Sequence, residues 1–307
     1  MAQATDAGFA SVVVARLSLM VEENMRKALH DILQTQQLTQ ILDIGANPID
    51  GEPPYKNMLA LGLCQVTGFE PQKKALLELL QKKGPNERYL PYAIGDGEIH
   101  TLHICRSSGM TSLYEPDPAA FNVFESLRPH AQIVSQEKIQ TKRLDDLKEV
   151  EHIDFLKIDI QGGELSVFQS GRQKLKDAVF IQAEVSFITL YKNQPTLGDI
   201  DLEMRHQGFV PHCFAAVKKW PIAPLVVNRD PRQPTNQLLE ADIVYVRDFT
   251  QPESMSDEQL KQVIMIAHHC YASNDLAMRF ILLLEQKNAL PKGANRDYLE
   301  LLKTPNS

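Results

Sequence analysis

Two acidic residues placed where short apolar runs end carry the first chemical signal in this chain. Ile41-Leu-Asp-Ile-Gly-Ala-Asn47 runs apolar, then acidic, then turns at a glycine. Gln65-Val-Thr-Gly-Phe-Glu70-Pro71 closes a second run on a carboxylate suited to accepting hydrogen bonds from ribose hydroxyls. Gly45 is followed by Ala46, Asn47, Pro48, Ile49 and Asp50 before Gly51. The G-x-G-x-x-G spacing that cradles a pyrophosphate is therefore missing. These residues favour a nucleoside ligand without phosphates. S-adenosylmethionine, with an amino-acid end, a sulfonium and an adenosine, is such a ligand. Asp43 and the loop amides are expected to hold its amino-acid end, with Gly45 giving room and Glu70 on the ribose.

A third acidic run, Asp154-Phe-Leu-Lys-Ile-Asp159-Ile-Gln-Gly-Gly-Glu164, supplies the reacting end. Asp159 ends an apolar run, and Gly162-Gly163 lets the chain turn tightly into a helix. Asp159 is expected beside the transferred methyl group or the substrate. Glu164, in the first helical turn, serves as a cap or shapes the site. Such a transfer is helped by a group that takes a proton from the substrate, and Asp159 is the candidate catalytic residue. His100, His103, His206 and His212 are alternatives by type. His268 and His269 are adjacent on a helix and face different ways, which makes a poor metal pair. No metal site is named, although a divalent cation between Asp159 and Glu184 is conceivable. Ser107–Tyr114 is rich in hydroxyls and could close over a ligand; it reads equally as a surface loop. Phe187 and Tyr191 could line an acceptor pocket or belong to the core.

Alternating strands and helices must position these groups. Strands are expected at 40–44, 64–69, 89–94, 98–105, 155–159 and 178–185, with helices near 56–63, 72–82 and 163–170. Segments 209–215 and 241–247 read as a late antiparallel pair at the sheet edge. The pattern predicts an α/β fold with a mostly parallel sheet. Residues 8–36 read as an amphipathic helix, and Ser256 opens a run of helices to the end. Three parts follow: an N-terminal helical segment at 1–37, a ligand-binding domain at 38–250 and a helical appendage at 251–307.

Composition narrows the function classes. The chain has 307 residues, 43% hydrophobic, with a net charge of -7 and no long basic cluster, which argues against a nucleic-acid partner. The four cysteines are scattered without a C-x-x-C pair, which suits a reduced, cytoplasmic protein. The apolar stretch from Phe9 is too short and too interrupted for a membrane span. The apolar terminal helices make a homodimer plausible. A nicotinamide-dependent oxidoreductase would need the missing glycine loop.

Asp43-Ile-Gly-Ala-Asn47, Gly68-Phe-Glu-Pro71, Ala93-Ile-Gly-Asp96, Met110-Thr-Ser-Leu113 and Lys157-Ile-Asp-Ile-Gln-Gly-Gly-Glu164 occur in this order. Together, over about residues 38–248, they resemble the FkbM family of S-adenosylmethionine-dependent methyltransferases. The resemblance implies a Rossmann-like class I methyltransferase fold with helices on both faces of the sheet. It implies methylation of a hydroxyl on a sugar, glycan or small metabolite. Asp43, Gly45, Ala46 and Asn47 then look like the methionine-end loop and Glu70 the ribose acid. Asp96 looks like the partner of the adenine amine, with Ile94 or Pro71 against the ring. Two departures stand out. Pro48-Ile49 replaces the glycine that usually follows the asparagine at two residues, and Gln161 stands where the family more often has glutamate. Both keep a second reading open, a non-catalytic cofactor-binding or scaffold protein that retains the fold.

Overall fold

A computed structural model describes residues 29–35, 37–47 and 51–303. The chain divides into two compact units. One comprises Gln40–Pro53 and Gln65–Pro252; the other gathers the described residues up to Thr39 with Pro54–Cys64 and those from Glu253 onward.

The first unit is built on a seven-stranded sheet. Its strands are β1 (Thr39–Ile44), β2 (Cys64–Phe69), β3 (Glu87–Leu90), β7 (Phe155–Ile158), β8 (Phe180–Ser186), β9 (Phe209–Lys219) and β10 (Leu238–Arg247). They lie in the order β3-β2-β1-β7-β8-β10-β9. β2 pairs parallel with β3, β1 with β7, and β7 with β8. β10 runs antiparallel to both β8 and β9. This is the expected mostly parallel, Rossmann-like sheet, with one reversed strand next to its edge. Every residue of β8 is buried, as in a central strand covered on both faces. Leu42, Ile44, Leu156, Ile158, Ile181 and Ala183 form the core with Val167 and Phe168 of helix α4 (Glu164–Ser170).

A smaller sheet of three strands has the order β4-β6-β5, from β4 (Ala93–Gly95), β5 (Ile99–Cys105) and β6 (Ile133–Arg143). Here the structure corrects the sequence reading. The single strand expected over 89–94 is two strands in two sheets, β3 and β4, separated by Pro91 and Tyr92. Proline has no N–H to give to a ladder, so the strand breaks there. β6 was not expected at all. Helix α6 (Leu197–His206) was also missed, although Thr196 and Asp199 form a reciprocal capping box at its start.

The remaining helices of this unit are α2 (Lys73–Lys82), α3 (Pro118–Val123) and α5 (Arg172–Leu175). In the second unit α1 (Lys56–Ala60) is followed in sequence by α7 (Asp257–Tyr271), α8 (Asn274–Gln286) and α9 (Ala294–Lys303). Ser256 caps α7: its hydroxyl accepts the Gln259 amide at 3.2 Å, and the Gln259 side chain accepts the Ser256 amide at 2.9 Å. Residues 29–33 are helical; the rest of the N-terminal helix expected over 8–36 lies outside the described residues, apart from Gln34 and Thr35. Among the described residues no helix is long and apolar enough to cross a membrane.

Candidate active site

β1 is followed by a chain that moves outward through β2 and β3, then crosses back to place β7 on the other side of β1. Open α/β sheets bind ligands at such a reversal, beyond the carboxyl ends of the strands. A cavity lies there. Ile44, Gly45 and Asn47 line it after β1, Phe69 to Gln72 after β2, and Asp159 to Gln161 after β7. Tyr92 and Ile94 form an apolar wall, and Ser108, Thr111 and Ser112 form part of another.

The strand ends are bolted together by backbone. The Gly45 and Ala46 amides both donate to the Phe69 carbonyl, at 3.0 and 3.2 Å. The Asp159 amide donates to the Ile44 carbonyl at 3.0 Å. Gly45 has φ +79°, and a Cβ there would sit 1.9 Å from the Asp159 carbonyl oxygen. Its lack of a side chain is therefore required by the neighbouring loop, a reason different from the ligand room expected from sequence.

At the β2 end, Glu70 is 2% exposed. Its Oε1 accepts the Gln72 amide at 2.7 Å. Burial, helped by the nearby charge of Asp43, pushes its carboxyl up to about 7 against the opposing pull of that amide and of Lys157. Phe69 and Tyr92 stack with ring centroids 5.9 Å apart, giving this end aromatic surface.

At the β7 end the polar groups crowd together. The Gln161 amide nitrogen donates to Asp159 Oδ1 at 3.0 Å and to Glu184 Oε2 at 2.6 Å. Lys218 Nζ lies 2.9 Å from Glu184 Oε1 and 3.8 Å from Glu240 Oε2. Burial, then the charges of Asp159 and Glu240, push the Glu184 carboxyl well above the usual range, while Lys218 opposes them. Glu164 accepts the Ile160 amide at 2.9 Å, so its carboxylate holds the loop that carries Asp159. Burial pushes Glu164 up to about 7.

A family model described as the Methyltransferase FkbM domain matches residues 43–211, from the end of β1 to the start of β9. The chain belongs to the FkbM methyltransferase family. A curated relative is 2-O-methyltransferase NoeI of Sinorhizobium fredii (strain NBRC 101917 / NGR234), 29% identical over 179 residues, which is 53% of this chain and 70% of NoeI. Among solved structures, magnesium protoporphyrin IX methyltransferase (ChlM) from Synechocystis PCC 6803 with bound SAM aligns at 12% identity and a TM-score of 0.36. That alignment covers 75% of this chain and 79% of ChlM. TYW2 from M. jannaschii in complex with AdoMet aligns at 11% identity and a TM-score of 0.33, over 74% of this chain and 76% of TYW2.

Within this FkbM domain, six of the residues singled out from sequence meet around one cavity: Gly45, Asn47, Glu70, Pro71, Ile94 and Asp159. Three do not line it. Ala46 is buried in the loop, its amide spent on β2. Asp43 is 3% exposed and lies 3.5 Å from Lys157 Nζ, its register partner on β7. Burial pulls Lys157 down, but Asp43 and then Asp159 outweigh it and hold the ammonium above its usual range. Asp43 thus stands behind the wall as the counter-ion of a largely buried lysine. Asp96, expected at the adenine amine, does not line the cavity. Its Oδ1 is committed to His100 at 2.8 Å, the Glu98 amide at 2.9 Å and Thr141 at 3.2 Å. The short side chain caps its own turn, because β4 leaves the main sheet after Tyr92. Gln161 and Tyr92 carry site geometry that sequence reasoning had not assigned to them. His268 and His269 lie in α7, in the other unit.

Proposed function

We propose that this FkbM methyltransferase binds S-adenosylmethionine in the cavity between Glu70 and Asp159 and methylates a hydroxyl oxygen of a sugar or glycan. The observation that carries the reading is the cavity itself. It places the buried carboxylate of Glu70 at the β2 end and the half-buried carboxylate of Asp159 at the β7 end, with aromatic surface near the first and no phosphate cradle. Such a lining suits a nucleoside without phosphates, and the residues present fit the cofactor. Glu70 would hold the ribose hydroxyls, Tyr92, Ile94 and Pro71 the adenine, and the Gly45–Asn47 loop the amino-acid end. When bound, S-adenosylmethionine supplies a methyl group on a sulfonium, and sulfur keeps the bonding pair as the acceptor oxygen takes the carbon. Asp159 orients the acceptor hydroxyl and takes its proton. Positioning of this kind supplies several kcal/mol, and a placed base adds about two to four orders of magnitude in rate. The sugar class of the acceptor rests on the 2-O-methyltransferase name of the NoeI relative.

The test is transfer of a labelled methyl group from S-adenosylmethionine to a panel of methyl glycosides and oligosaccharides. Label in a product that is lost when the 2-hydroxyl is replaced by hydrogen supports a sugar 2-O-methyltransferase. Label only in non-sugar hydroxyl compounds contradicts the acceptor class. Cofactor binding with no labelled product from any acceptor supports the non-catalytic reading.

A further inference from the structure

Gln161 is the most heavily engaged residue of the cavity wall. It sits at φ +59°, a left-handed conformation that a glutamine rarely adopts, and is followed by Gly162 at φ +106°. Its main-chain oxygen accepts the Ser112 hydroxyl at 2.6 Å. Its side-chain oxygen lies 3.2 Å from the Tyr191 hydroxyl, inside a tightly packed cluster where Tyr191 is 1% exposed. Its side-chain nitrogen donates one proton to Asp159 and one to Glu184. The hydroxyl-rich segment after β5, the end of β7, β8 and the segment after β8 therefore all converge on one side chain.

We propose that Gln161 is a positioning residue: its amide, shared between Asp159 and Glu184, aims Asp159 at the cavity and holds negative charge at that end of the site. This rests on the function proposed above for the same cavity. An amide can do this where other side chains cannot. It offers two N–H donors from one atom, so one group satisfies two carboxylates that would otherwise repel each other. Among the described residues nothing bonds Asp159 Oδ2, so the shared Oδ1 leaves the other oxygen for an acceptor hydroxyl. The Tyr191 hydroxyl lies 3.2 Å from both the amide oxygen and the Met110 carbonyl, and a flipped amide would place an acceptor against two acids. Lys218 neutralises the far oxygen of Glu184 but lies on β9, on the side away from Asp159's strand.

The groups facing Glu184 are Asp159 from the end of β7, Gln161, Lys218 from β9, Glu240 from β10, Asp242 on β10 as the register partner of Glu184, and the Tyr191 hydroxyl. Removing the amide takes a donor away from the ionised form of Glu184, so this carboxyl must take up its proton at a higher pH. The experiment uses the full chain with carboxyl carbons of Asp and Glu labelled with carbon-13. Nuclear magnetic resonance titration follows the two signals, assigned with D159N and E184Q. In Q161M the apparent midpoint of Glu184 is expected to rise by about one pH unit or more, and in Q161E by more than in Q161M because a third carboxylate is added. S-adenosylhomocysteine affinity reports folding and cofactor binding alongside. Native affinity with an unmoved midpoint in both variants overturns the proposal. Moved midpoints in the two variants, together with a wild-type protein that binds no S-adenosylhomocysteine, keep the amide bridge and overturn the cofactor reading instead.

Discussion

The two ends of the cavity solve different problems with the same residue type. At the β2 end, Glu70 is a buried carboxylate beside aromatic and aliphatic surface, held by the Gln72 and Asn47 backbone amides, with Asp43 and Lys157 acting on it through charge alone. At the β7 end, Asp159 belongs to a set that includes Glu184, Glu240, Lys218 and Gln161. A buried acid with spare acceptor capacity is suited to gripping a diol. A networked acid, oriented from one oxygen and charge-balanced from behind, is suited to receiving a proton. Environment, rather than residue type, separates a binding role from a chemical one.

The sharpest way to break the comparison is to exchange charge at each end. Asp159→Asn is expected to lower turnover by about a hundredfold or more while leaving S-adenosylhomocysteine affinity within about threefold. Parallel kinetics and calorimetry check this, and an equal loss in both would move Asp159 to the binding end. Behind the wall, Asp43→Ala leaves Lys157 largely buried without its nearest counter-ion and should destabilise the fold by about 3 kcal/mol. Urea unfolding measures that loss, and a variant of native stability would return Asp43 to direct ligand contact. Glu70→Gln should weaken cofactor binding by about tenfold, or 1.4 kcal/mol, without affecting stability to the same degree.

The smallest expected effect is a pH dependence. The Glu70 carboxyl is raised to about 7, so it gains its proton as pH falls through neutrality. Only the ionised form accepts from both ribose hydroxyls. Affinity should therefore be flat above pH 8 and fall by about tenfold between pH 7.5 and 6 in the wild type. In Glu70→Gln the profile should be flat throughout. Calorimetry across that range checks both.

Much of the frame was legible because the central strands are buried on both faces. Ile41–Ile44, Phe155–Ile158 and Ala178–Val185 are near-continuous apolar runs, and the acids that end them could be read directly. β6 was illegible for the opposite reason: Ile133–Arg143 is polar and mostly exposed, so it carries no period to detect. Pro91 was visible but was read through, which put Asp96 at the end of a main-sheet strand, whereas β4 belongs to the smaller sheet. The Thr196–Asp199 capping box offered a local signal for α6 that was overlooked. Gln161 is a different case. Its partners Glu184 and Tyr191 lie 23 and 30 residues away, and only the pairing of β7 with β8 brings them together. A local motif shows the residue but cannot show what its amide holds.

The most direct test of the central claim is calorimetric titration of the wild-type chain with S-adenosylhomocysteine, with Glu70→Gln and NAD as controls. The account expects micromolar binding of S-adenosylhomocysteine, about tenfold weaker binding in the variant, and none of NAD. Failure of the wild type to bind, or equal affinity in Glu70→Gln, would contradict the assignment of this cavity as the methyl-donor site.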